Sequence, residues 1–168
     1  VLRAAAVGLI EGLTWQEIVH GLRMGHTQLR LVAIQTKSGA ILLDDTYNAS
    51  PESMLAALNL LDEIEGHRVA VLGDMLELGI YEWRGHEAVG IRAAEVVDEL
   101  ITVGERAHII ADAARKAGLD SSVIVELEDS QAAIDYLRER LGEKDVVLIK
   151  GSHGVRMDRI VSALEQSQ

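Results

Sequence analysis

Four short polar stretches hold most of the residues in this chain that could do chemistry. They are Asp44-Asp45-Thr46-Tyr47-Asn48-Ala49-Ser50-Pro51, then Gly73-Asp74-Met75-Leu76-Glu77-Leu78-Gly79, Gly104-Glu105, and Lys150-Gly151-Ser152-His153-Gly154. Each follows an apolar run that reads as a strand. If those strands are parallel, all four stretches fall on one edge of a sheet, beyond the carboxyl ends where open α/β sheets bind ligands. Carboxylates, an amide, a lysine and a helix N-terminus then share one rim. Lysine and the helix dipole would hold a carboxylate or phosphate, while aspartate would hold an ammonium or a ribose hydroxyl. The rim therefore suits an anionic or zwitterionic small molecule.

Each residue also has a plainer reading. Asp44 and Asp45 fit a turn cap equally well. Gly151 and Gly154 fit a tight turn before the last helix, since a lone Gly-x-x-Gly is weak evidence for a phosphate. Lys150 reads as a solvated charge and His86, on a helix, as structural or exposed. The six histidines show no His-x-x-x-His or His-Glu-x-x-His spacing, and there are no cysteines, so no metal site is expected from this chain. No Gly-Lys dipeptide occurs, which excludes a phosphate loop of the Gly-x-x-x-x-Gly-Lys-[Ser/Thr] type. A Gly-x-Gly-x-x-Gly dinucleotide fingerprint and a Gly-x-Ser-x-Gly nucleophile elbow are missing as well.

The elements that must position these stretches follow from periodicity. Val1 to Leu22 reads as two short helices, the second opened by a Thr14–Glu17 capping box, and Arg23 to Gln28 as a linker. Leu29–Gln35 and Ala40–Leu43 flank Lys37-Ser38-Gly39 as a hairpin. Apolar runs at Arg68–Leu72, Glu99–Val103, Ser122–Val125 and Asp145–Ile149 read as strands covered on both faces. Between them lie amphipathic helices. One is marked by Met54, Leu58 and Leu61, with Ser50 as N-cap and Pro51 in its first turn. A second is marked by Trp83, Val89, Ala93 and Val97, and a third by Ile110, Ala114 and Ala117, closed by Gly118. Ile134, Leu137 and Leu141 mark a fourth, and Ile160, Val161 and Leu164 a fifth. The pattern predicts an α/β fold with a doubly wound, mostly parallel sheet, an N-terminal β-hairpin and two preceding short helices.

Composition narrows the function. With 16 basic and 27 acidic residues the formal net charge is -11, which argues against nucleic acid or an anionic membrane surface as partner. Aromatic residues are 3% of the chain and Phe is absent, so the core must be aliphatic. The absence of cysteine, of a signal peptide and of a long apolar run leads us to expect a cytoplasmic protein with no membrane insertion. Because the chain opens on Val1 inside a helical pattern, we read it as a piece of a longer protein.

Three of the stretches, Asp44 to Ser53, Val71 to Gly79 and Lys150 to Gly154, resemble the Mur ligases in order and spacing, and the resemblance covers essentially the whole chain. The likeness is greatest to the branch that joins D-alanyl-D-alanine to UDP-N-acetylmuramoyl-tripeptide. Other Mur ligases and folylpolyglutamate synthases tend to carry Asp-x-Ala-His-x-Pro where this chain has Asp45-Thr46-Tyr47-Asn48-Ala49-Ser50-Pro51. A free-standing nucleotide-binding module is the alternative from another class.

The resemblance implies a Rossmann-like third domain at residues 28–168, preceded at 1–27 by the tail of a central ATPase domain and a linker. It implies ATP and Mg²⁺, held mainly by the central domain. It also implies D-alanyl-D-alanine, UDP-N-acetylmuramoyl-tripeptide and ATP as the partners of a monomeric intact enzyme. Arg30 would reach the ATP γ-phosphate on domain closure, and Asp45 would contact the nucleotide. Tyr47, Asn48, Ser152 and Lys150 would form the dipeptide pocket, with Asp74 and Glu77 organising its loop. His153 stands where arginine is frequent in the family, and Ser50 where asparagine is frequent. No catalytic nucleophile or base is implied, so the piece alone is expected to be inactive.

Overall fold

The hairpin forms where the sequence reverses at Lys37-Ser38-Gly39. Gly39, at φ 90°, donates its N–H to the Thr36 carbonyl, and Thr36 donates its own to Ala40. This turn joins β1 (Val32–Gln35) to β2 (Ile41–Asp45) in antiparallel register. The computed structural model describes residues 7–18 and 31–166. In the first of these segments α1 (7–10) and α2 (15–18) are helical. The expected capping box is present: Thr14 N–H donates to the Glu17 carboxylate at 2.8 Å, and Glu17 N–H to Thr14 Oγ1 at 3.3 Å. The expected linker from Arg23 to Gln28 lies outside the described residues, as does Arg30.

Strands and helices then alternate: α3 (Pro51–Asp62), β3 (His67–Gly73), α4 (Glu82–Val96), β4 (Glu99–Val103), α5 (His108–Lys116), β5 (Ile124–Leu127), α6 (Ser130–Arg138), β6 (Asp145–Lys150) and α7 (Asp158–Gln166). The six-stranded sheet has the order β1-β2-β6-β3-β4-β5, parallel everywhere except the β1–β2 hairpin. From β2 through β5 the chain progresses across the sheet in one direction; the step to β6 goes back and inserts between β2 and β3. Right-handed crossovers in opposite directions put their helices on opposite faces. Accordingly, α3, α4 and α5 pack on one face and α6 and α7 on the other.

The strands serve both faces by simple alternation. Ala70, Leu72, Leu100, Val146 and Leu148 pack under α3–α5, while Val69, Val71, Ile101, Val103, Val147 and Ile149 pack under α6 and α7. This explains the continuous apolar strands in the sequence. Each such aliphatic side chain, once buried, contributes about 1.5–3 kcal/mol.

Three local expectations shift. The run expected at Ser122–Val125 is a 3-10 turn at Ser121–Val123 followed by β5, because the Asp120 carboxylate accepts the Ser122 N–H at 2.8 Å and starts a turn. Trp83 lies off the buried stripe of α4, which runs through Gly85, His86, Val89, Gly90, Ala93 and Val96. The stripe is offset because α4 approaches α5 through Gly90, where a Cβ would lie 2.3 Å from the Ile110 carbonyl oxygen. Finally, Leu141 falls beyond the end of α6, although it still packs against the core.

Candidate functional site

The carboxyl ends of β2, β3, β4 and β6 meet along one rim, as the parallel order requires. At its centre Asp45 and Lys150 are register partners on neighbouring strands. Lys150 continues the alternation of Val146 and Leu148, so its side chain leaves the sheet on the α3 face, and Asp45 follows Leu43 onto the same face. Lys150 is 1% exposed, and its Nζ donates to Asp45 Oδ2 at 2.7 Å and to the Asn48 carbonyl at 2.9 Å. A buried ammonium requires such partners, because desolvation without them costs several kcal/mol. The lysine thus fastens the loop after β2 to the middle of the sheet. Reading Lys150 as a solvated surface charge is wrong for this structure.

The same loop is fastened at its far end. Ser50 caps α3: its hydroxyl accepts the Ser53 N–H, and the Ser53 hydroxyl in turn accepts the Ser50 N–H. Pro51 occupies the first turn, as expected. Between the two anchors, Tyr47 and Asn48 are exposed.

Asp44 points the other way. It lies on the side of Leu42, toward α7, and its Oδ1 accepts both the N–H and the hydroxyl of Thr46, at 3.0 and 2.7 Å. The turn-cap reading therefore applies to Asp44 and the ion-pair role to its neighbour. Asp44, Thr46 and Tyr47 line an open cleft of about 350 Å³ together with His153 and Asp158. Asp158 begins α7, and its pKa is lowered, chiefly by the Arg156 guanidinium, so it stays ionised at neutral pH. His153 belongs to the Lys150–Gly154 stretch singled out in the sequence, whereas Asp158 does not stand out there; its cue is its place at the start of the last helix.

The loop after β3 is cross-braced. Asp74 is buried, and its Oδ1 accepts the N–H groups of Arg106 and Ala107, at 2.9 and 2.8 Å. Its carbonyl accepts the Ser152 N–H, and Ser152 Oγ accepts the Leu76 N–H, both at 2.9 Å. His86 is fully buried; its Nε2 accepts the Met75 N–H at 3.0 Å, and its Nδ1 bonds the Glu82 carbonyl at 2.8 Å. That pattern places the ring proton on Nδ1. Arg106 completes the brace through Glu82 at 2.8 Å, and this partner raises the arginine pKa. Glu77 is exposed and contributes its backbone, which turns at φ 64°. The glycines serve close packing. A Cβ on Gly104, at φ 108°, would meet the Asp74 carboxylate at 2.6 Å, and one on Gly151 would meet Met157 at 2.8 Å.

The structure thus gathers Asp45, Tyr47, Asn48, Lys150 and Ser152 at one rim. Among the described residues no group of three or more His, Asp or Glu side chains is placed to hold a metal ion, and no helix is long and apolar enough to cross a membrane.

The glutamate ligase domain of the Mur ligases matches residues 29–153. The chain is similar to the UDP-N-acetylmuramoyl-tripeptide–D-alanyl-D-alanine ligase of Escherichia coli, with 37% identity over 99% of this chain and 36% of that protein. The Bacillus subtilis enzyme of the same name is 32% identical over 99% of this chain and 37% of its own length. Among solved structures, the MurF ligase of Thermotoga maritima in complex with ADP superimposes with a TM-score of 0.69 at 28% identity, covering 96% of this chain and 36% of that one. The chain spans about a third of the length of the curated relatives it matches.

Proposed function

The chain belongs to the Mur ligase family, and from that premise we propose that it is the third domain of an ATP-dependent ligase that adds D-alanyl-D-alanine to UDP-N-acetylmuramoyl-tripeptide in peptidoglycan synthesis. Residues 28–168 form that domain, and residues 1–27 are the tail of the central ATPase domain with its linker. The intact enzyme is cytoplasmic, and this part alone does not turn over. The observation that carries the reading is the Tyr47–Asn48 loop, held at both ends and exposed between them beside an open cleft.

ATP, with Mg²⁺, would convert the tripeptide carboxylate to an acyl phosphate with release of ADP, and the dipeptide amine would then attack the acyl carbon and expel inorganic phosphate. The cleft fits the incoming zwitterion better than it fits a triphosphate, because its lining carries two carboxylates and no lysine or arginine. Asp44 keeps Oδ2 for an ammonium, since both bonds it accepts from Thr46 fall on Oδ1. His153 is placed for the dipeptide carboxylate, and Tyr47 and Asn48 for its peptide group. Lys150, Asp45 and Ser152 fix the loops that present these groups. The Asp45 carboxylate, a fifth exposed, is what this face offers to a ribose hydroxyl. Arg30 supplies the γ-phosphate contact when the domains close. Catalysis of this kind rests on positioning and on electrostatic stabilisation of the transferred group.

The test is phosphate release by the intact parent protein given ATP, UDP-linked tripeptide and one acceptor at a time. We expect release only with D-alanyl-D-alanine. Release with a single amino acid would move the chain to another branch of the family, and none with any acceptor would leave a binding module.

A further inference from the structure

We infer that the groove between α6 and α7 is a second anion site, adjoining the rim cleft at Asp158, that takes a small ligand bearing two linked phosphoryl groups. The two helices follow β5 and β6 on the same face of a parallel sheet and therefore run side by side in the same direction. Between them lies a groove of about 380 Å³, floored by Ile134 and Ala163 and walled by Arg138, Arg156 and Arg159. Asp158 is the one carboxylate in its lining. In a chain with a formal charge of -11, three guanidinium groups around one groove run against the overall balance.

Two features oppose stability and so call for another reason. Arg156 adopts the left-handed conformation, φ 58° and ψ 41°, which is normally left to glycine or asparagine. Arg159 sits in the first turn of α7, where the helix dipole is positive and a cation is disfavoured. Arg156 is paired to Asp158, at 3.1 and 3.2 Å, whereas Arg138 and Arg159 make no ion pair among the described residues. The lining therefore has two uncompensated positive charges, each on a planar fork that matches phosphoryl oxygens two at a time. That count fits a diphosphate better than a single carboxylate. Gln131 Nε2 donates to Asp135 at 3.1 Å and Ser162 Oγ to the Asp158 carbonyl at 3.0 Å, so the arginines carry the anion contact.

The test is titration of the isotope-labelled chain with inorganic diphosphate, and separately with a nucleoside diphosphate, followed by amide NMR shifts. We expect saturable shifts in residues 131–138 and 156–166 with at least one of the two. R138Q/R159Q should weaken binding by about tenfold or more without moving the thermal midpoint, as loss of two charge-assisted hydrogen-bonding groups requires. R138Q and R159Q singly should each weaken it less. Malonate should bind more weakly than diphosphate. Shifts confined to residues 44–48 and 150–154 would overturn the inference while leaving the rim reading intact. So would affinity that survives both substitutions, or malonate binding as tight as diphosphate.

Discussion

On the α3 side of the rim, Lys150, Asp45 and the Asn48 carbonyl are joined in a nearly dry contact; on the α7 side, Asp44, Tyr47, His153 and Asp158 surround open space. The two sides are built from adjacent residues, and Asp44 and Asp45 differ only in which face of β2 they leave. That difference separates two tasks. The buried side holds the loops in place, and the open side lines the cleft that a ligand would enter. Substitutions on the two sides should therefore fail in different ways.

The largest effect is expected from K150M, which leaves a half-buried carboxylate and a carbonyl without their cation. Breaking a buried pair from one side costs about 3–5 kcal/mol, and with Asp45 still in partial contact with water the lower end applies. Urea denaturation should read it, and a loss below about 1 kcal/mol would show that the contact is not structural. H86A comes next. It removes the acceptor of a buried Met75 N–H and should cost about 2–3 kcal/mol, with amide exchange at Met75 accelerated. On the open side, Y47F and H153Q should leave stability within about 0.5 kcal/mol and act on acceptor binding in the intact ligase. A fall in unfolding midpoint as large as that of H86A would erase the distinction between the sides.

The smallest effect concerns pH. Arg156 holds the Asp158 carboxyl below its ordinary value, so its contribution is fully present above the unfolded-state pKa and is lost as pH falls through the folded one. The pair is largely solvated, so R156Q should flatten the acid limb of the stability profile only slightly. An unchanged acid limb would remove Arg156 as the cause.

Most of the fold was legible because both periodicities were clean: continuous aliphatic runs for doubly covered strands and spaced apolar residues for the helices. The insertion of β6 between β2 and β3 was not, since it depends on crossover direction rather than on any local pattern. The 3-10 turn at Ser121–Val123 hid in a β-branched run because one aspartate decided it. At the site, the Asp44–Pro51 stretch stood out by its polar composition, its place after a strand and its likeness to the Mur ligases. Composition could not say that Lys150 would be buried, because a lysine at a strand end looks the same whether it meets water or an aspartate one strand away. Asp158 entered through position in space, which the sequence does not print.

The most direct test of a rim divided between support and binding is the KM for D-alanyl-D-alanine of the intact ligase carrying H153Q, measured beside its unfolding midpoint. The division predicts a KM raised by about threefold or more, as loss of one charge-assisted contact implies, with the midpoint unchanged. An unchanged KM, or a KM that rises only as the protein unfolds, would contradict it.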